Sequence, residues 1–173
     1  NNLYWGAAYG VKTYFITKSE NWKLLKSIKT KDSIILERAV FKHKSSNTYL
    51  VADAYDGAEI RQSIIDFLHA SSGQFKDTLN IDTLQLPTGG NADLIAYVGH
   101  NGLMDFKINE TFRVNNKKKR DIIILACYSK NYFYHYVEKF NTNPLVWSNG
   151  LMSPEAYTLE WAIEGWILGE NNG

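Results

Sequence analysis

The sequence predicts an α/β fold: a three-layer sandwich with a mostly parallel sheet and helices on both faces. Two short runs, Leu94–Val98 and 122–126, are rich in Ile, Leu and Val and end in small or polar residues. Strands buried on both faces of a parallel sheet read this way. Strand-like and helix-like segments also alternate along the chain, which implies right-handed crossover connections. The chain has 173 residues, of which 45% are apolar, enough for one full core. Residues 1–173 are therefore expected to form a single domain.

Residues 1–10 are aromatic and small (Tyr4, Trp5, Tyr9, Gly6, Gly10) and read as an irregular arm or short helix on the core. Ser19 can cap a helix through residue 28, with Trp22, Leu25 and Ile28 on one face. Residues 1–30 would thus be an N-terminal arm and helix packed on the core. Residues 34–43 and 48–54 read as two strands joined by the Ser45-Ser46-Asn47 turn, hence a hairpin. Tyr49 to Ala52 is apolar throughout, so the second strand is expected to be central. A helix over 58–70 places Ile60, Ile64, Phe67 and Leu68 on one stripe. Residues 75–91, with Pro87 and Gly89-Gly90, read as a loop.

The first apolar run ends at His100 and the second at Cys127. A helix over 131–140 follows, carrying Tyr132, Phe133, Tyr136, Val137 and Phe140 at helical spacing, and then a short strand over 144–147. Ser153 as N-cap, Pro154 at the first helical position and Glu155 in the first turn announce the last helix, which Gly169 is placed to end. Its buried face would be Leu159, Ala162, Ile163 and Trp166.

Formal net charge is +1, so no global field recruits nucleic acid or an anionic membrane. The one basic run, Lys117 to Arg120, lacks interleaved aromatics and reads as a solvated loop rather than a nucleic-acid surface. No apolar stretch approaches the ~20 residues that span a bilayer. The single cysteine, Cys127, excludes an internal disulfide and a Cys-rich zinc site. The chain begins at Asn1 rather than Met, as a processed product does. A removed export signal, with an exported or periplasmic location, is one explanation, and a trimmed boundary is the other. The sequence sets no oligomeric state.

In open α/β sheets, ligands bind beyond the carboxyl ends of the strands, where His100 and Cys127 would sit. A cysteine attacks as its thiolate, and a free thiol with pKa of about 8.5 is mostly protonated at neutral pH. A neighbouring imidazole can take the proton, and the positive end of a following helix favours the anion. Backbone N–H groups around Asn101, Gly102 and Cys127 could form an oxyanion hole. Taken alone, a cysteine at a strand end is core filling and a His before Asn-Gly is a turn residue. Their matching positions on neighbouring strands carry the chemical reading.

Val98-Gly99-His100-Asn101-Gly102, followed by Ile123-Ile124-Leu125-Ala126-Cys127, resembles the core of the caspase–legumain–gingipain clan of cysteine peptidases. There a hydrophobic strand ends in His-Gly and the next ends in a small residue and the nucleophilic Cys. The resemblance covers roughly residues 48–147 and implies a caspase-like sheet and a peptide or protein substrate. By it, His100 is the general base and acid, and Cys127 the nucleophile. Asn101 stands where the clan has Gly, with Gly102 one place later. The chain also resembles a group of bacterial proteins with Gly-Leu-Met-Asp-Phe after the His and Gly-Leu-Met-Ser-Pro-Glu-Ala-Tyr near the end (102–106 and 150–157), which implies no activity.

Asp53 and Asp56 after one strand, and Trp147, Ser148 and Asn149 after another, are candidate substrate-binding residues at the same sheet edge. A carboxylate from Asp53, Asp56 or Asp105 could select a basic side chain, unless these are ordinary loop and capping acids. Other chemistries fit worse. A phosphatase loop would put Arg where Phe133 stands, and thioredoxin chemistry needs a second cysteine. No Gly-x-Ser-x-Gly elbow exists. His43, His69, His100 and His135 are too scattered for a metal site, and no cofactor is implied. The alternative from a different class is a catalytically degenerate domain of the same fold that binds peptide or glycan, which 11 Tyr and 5 Trp would suit.

Overall fold

The computed structural model describes residues 5–115 and 117–170. Residues 1–4 of the expected arm, Tyr4 included, lie outside them. By contacts the chain forms two compact units, Asn1–Ile60 with Glu155–Gly173, and Arg61–Pro154.

The first unit carries helix α1 (Val11–Thr17), strands β1 (Trp22–Lys29), β2 (Ile35–His43) and β3 (Tyr49–Tyr55), and helix α4 (Ala156–Ile167). The strands form an antiparallel sheet in the order β1-β2-β3. Phe15, Trp22 and Phe41 make its aromatic core, with Phe15 ring centroids 5.7 Å from Trp22 and 5.5 Å from Phe41. Glu164 of α4 ties the helix to the sheet by accepting from Trp22 Nε1 at 2.9 Å and meeting His43 Nε2 at 3.2 Å.

The second unit carries helix α2 (Ile60–Ser71) from its second residue on, the hairpin β4 (Lys76–Ile81) and β5 (Leu84–Gly89), and strands β6 (Leu94–Val98), β7 (Asp121–Leu125) and β8 (Asn143–Trp147), with helix α3 (Ser129–Phe140) between the last two. β6, β7 and β8 form a parallel sheet in that order. The central strand β7 is buried from Ile122 through Leu125. Phe67, Tyr97 and Phe133 cluster around it, with ring centroids 5.7 to 6.1 Å apart.

The mostly parallel, three-layer, caspase-like sandwich is therefore overturned. Among the described residues, three of the five strand pairings are antiparallel. Connection length is the reason. A parallel pair needs a crossover of about a dozen residues or more, whereas a short link makes only a hairpin. The links β1–β2, β2–β3 and β4–β5 are all short, and the two parallel pairs are those joined by the long links flanking β7.

Three local expectations change as well. Residues 19–28 are not a helix: β1 occupies most of them, and its register shifts between Leu24 and Lys26. The bulged Leu25 breaks the alternation that would have marked a strand. β3 is an edge of its sheet rather than the centre, because β2 lies between it and β1. The expected loop 75–91 holds a hairpin whose two-residue turn puts Asp82 at φ +51, a conformation Asp tolerates. At α4, Ser153 and Pro154 precede the helix and Glu155 is its N-cap without a side-chain bond. The Ala156 N–H is satisfied by the Tyr9 carbonyl at 2.8 Å instead. Gly169 at φ +70 ends the helix as expected.

Candidate active site

The candidate site stands on the parallel register of β6 and β7. Val98 pairs with Leu125, and the Gly99 N–H donates to the Leu125 carbonyl at 3.1 Å. His100 is two residues past Val98 and Cys127 two residues past Leu125, so both leave the same carboxyl edge at equivalent steps.

On the Cys127 side, β7 passes through Ala126, Cys127 and Tyr128 into α3. Tyr128 takes φ +50, which lets a strand turn into a helix within three residues. Two hydroxyls hold that turn. Ser129 Oγ donates to the Ile124 carbonyl at 2.9 Å and accepts from the Ser148 N–H at 2.8 Å. Ser148 Oγ accepts from the Ser129 N–H at 3.2 Å and donates to the Ala126 carbonyl at 2.5 Å. The N–H groups of Tyr128 and Lys130 go to the carbonyls of Gly150 and Ser148. The half-buried thiol meets the backbone of Met152: Sγ donates to its carbonyl and accepts from its N–H, both at 3.4 Å.

On the His100 side, a tight turn follows β6. The Asn101 side chain is fully buried; its Nδ2 donates to the Cys127 carbonyl at 2.6 Å and its Oδ1 accepts from the Leu103 N–H at 3.1 Å. A 3-10 turn, Gly102–Met104, then returns the chain so that Asp105 Oδ2 lies 2.6 Å from His100 Nε2. Gly102 is required here by close approach, since a Cβ would lie 2.7 Å from the Phe106 ring and 3.1 Å from Ile64. Tyr97 reaches back from β6 to donate its phenol to the His100 carbonyl at 2.7 Å. Burial pushes the Tyr97 pKa up to about 12, against a hydrogen bond from Ser63 that lowers it. The phenol is therefore a neutral donor at any working pH.

The structure brings together His100, Asn101, Gly102, Cys127 and Ser148, but it gives several of them work other than that expected. Asn101 is a tether between the two loops. The Gly102 N–H turns back to the His100 carbonyl at 3.1 Å. Ser148 belongs to the hydroxyl pair that fixes the Cys127 turn. No hydrogen bond engages the Cys127 N–H among the described residues. The imidazole is bonded to Asp105, and Sγ to Met152.

Trp147 ends β8 half-buried, with Tyr134 at 6.4 Å between centroids and the Lys130 ammonium 5.8 Å from its ring. Asn149 is exposed beyond it. Asp53 and Asp56 belong to the other unit. Asp53 does not follow β3 but lies inside it, as the cross-strand partner of Arg38, which binds it through two nitrogens at 2.6 and 2.7 Å. Asp56 accepts from the Ala58 N–H at 2.9 Å and caps a 3-10 turn.

Sequence reasoning weighed Asp105 only as a selector of substrate charge, and it assigned nothing to Tyr97 or Met152. The one available signal was the pair of Gly-Leu-Met motifs, which hold Asp105 and Met152. Among the described residues, no group of three or more His, Cys, Asp or Glu could hold a metal, and no helix is long and apolar enough to cross a membrane. Neither a protein-family model, nor a curated protein, nor a solved structure matches the chain.

Proposed function

We propose that the chain is a cysteine hydrolase that cleaves peptide bonds through an acyl-enzyme, with Cys127 as nucleophile and His100 as general base and acid. The carrying observation is the register: an imidazole and the only thiol of the chain leave adjacent parallel strands at equivalent steps. The resemblance to caspase–legumain–gingipain peptidases supports this at the two strand ends alone, since the mostly parallel layered fold does not accompany it.

In this reading the thiol proton passes to the imidazole and the thiolate attacks the substrate carbonyl carbon. The oxyanion then faces the uncommitted Cys127 N–H. The imidazolium returns its proton to the leaving amine, and a water, deprotonated by the same imidazole, hydrolyses the thioester. The start of α3 two residues on favours negative charge at Cys127. Trp147, half-buried at the end of β8 beside Lys130, is assigned to a substrate side chain.

The test is hydrolysis of a mixed peptide library, with cleaved products read by mass spectrometry. Wild type is expected to cut, Cys127→Ala to be inactive, and His100→Ala to lose at least a hundredfold. Cleavage that survives Cys127→Ala would overturn the proposal. A second reading, a non-catalytic module that binds peptide or glycan, is favoured by one observation: Sγ is bonded to the Met152 backbone rather than to the imidazole. Saturable peptide or glycan binding without any cleavage supports that reading.

A further inference from the structure

We infer that Asp105 is the positioning residue for His100, completing an Asp105–His100–Cys127 relay in which the carboxylate selects the imidazole tautomer. The inference rests on the proposed nucleophile–base pair and adds to it a component that the sequence did not assign.

A neutral imidazole carries one N–H, and an ionised carboxylate only accepts. With Asp105 Oδ2 at 2.6 Å from Nε2, the proton is held on Nε2 and the lone pair is left on Nδ1. The nitrogen that can take a proton from Cys127 is thereby fixed. When the thiol ionises, its S–H bond breaks and Nδ1–H forms; Nε2 keeps its proton, and Asp105 stays ionised beside the new imidazolium. This is how the aspartate of a serine-protease triad works on its histidine, without taking a proton itself.

The pair is exposed, with the two side chains at 58% and 63%, so its Coulomb energy alone is small. Placement of the carboxylate is what the fold provides. The Met104 N–H donates to the Asn101 carbonyl at 3.1 Å, and those of Asp105 and Phe106 to the Gly102 carbonyl at 2.9 and 3.0 Å. Beyond Asp105, the Arg61 guanidinium covers the Phe106 ring at 4.1 Å and donates to the Lys107 carbonyl at 2.9 Å. Asp105 is thus held from both sides, while Tyr97 and Asn101 fix the backbone of the His100 loop. Among the described residues, Asp105 is the one charged group paired with His100.

The test is the rate of iodoacetamide alkylation of the native full chain from pH 5 to 10, in wild type, His100→Ala, Asp105→Asn and Asp105→Glu. Asp105→Asn is expected to move the low-pH limb toward the His100→Ala profile, and Asp105→Glu to restore most of it. Thermal unfolding of both Asp105 variants is expected to stay close to wild type. An Asp105→Asn profile that overlays wild type while His100→Ala differs would overturn the inference and leave the peptidase reading standing. If His100→Ala also overlays wild type, the underlying pair fails too. Nitrogen-15 NMR of the His100 ring in wild type gives an independent readout: the Nε2–H tautomer supports the assignment, and the Nδ1–H tautomer contradicts it.

Discussion

The side-chain amide of Asn101 donates to the main-chain carbonyl of Cys127 across 2.6 Å, joining the loop after β6 to the loop after β7. Asn101 is fully buried, and its other amide atom accepts from the Leu103 N–H. At this position the cysteine peptidases that the chain resembles carry glycine. The asparagine therefore has structural work of its own, tying together the two loops that carry His100 and Cys127.

Asn101→Gly should for that reason destabilise the protein rather than improve it. Both amide bonds vanish, the Cys127 carbonyl loses its partner, and the cost is about 1–3 kcal/mol. Urea unfolding measures it. A variant as stable as wild type, with faster thiol alkylation, would show that the tether is dispensable.

Tyr97 gives a pH signature. In the unfolded chain its phenol ionises near its ordinary value of 10.0, and in the folded chain only at about 12. Stability from the buried neutral phenol is full below pH 10 and is lost as pH rises to about 12. The loss is roughly 3 kcal/mol. Tyr97→Phe removes that slope along with the bond to the His100 carbonyl. The difference in unfolding free energy between wild type and variant, measured from pH 9 to 12, should shrink steadily; a constant difference would mean that the phenol is solvated.

Ser148→Ala tests the hydroxyl pair under the Cys127 turn. It removes the Ser148 Oγ bonds to the Ala126 carbonyl and from the Ser129 N–H, which keep only their mutual contact at 3.3 Å, at a cost of about 1 kcal/mol. Alkylation of Cys127 should change as the turn loosens. If the variant lost only substrate affinity and no stability, Ser148 would be a substrate-binding residue and not a brace.

Asp53→Asn separates the ion pair from a role in specificity. The Asp53 carboxylate is committed to Arg38 on the neighbouring strand, so the substitution should cost up to about 1 kcal/mol and leave the cleavage pattern unchanged. A shift away from basic residues at the cleaved bond would restore Asp53 as a selector.

The parts of this fold that were legible are those in which one physical signal dominates. β7 is buried from Ile122 through Leu125, and its flanking connections are long enough to allow parallel pairing, which brings His100 and Cys127 to one edge. β1 was hidden because a bulge at Leu25 leaves Trp22, Leu25 and Ile28 at a helix-like spacing. The hairpin of β4 and β5 was hidden by Pro87 and the glycines around it. Asp105 escaped because a 3-10 turn returns a side chain to a residue five positions earlier, a spacing that neither helical nor strand periodicity marks. Met152 escaped because its contact with Cys127 is made by backbone atoms, about which side-chain identity says nothing.

The central claim is that His100 activates Cys127, and iodoacetamide alkylation of native wild type beside His100→Ala tests it most directly. The account predicts that wild type keeps reacting well below the pH at which a free thiol, with pKa of about 8.5, falls silent. It predicts that His100→Ala loses that low-pH limb. A native Cys127 that stays inert until the protein unfolds, or two superimposable profiles, would contradict it.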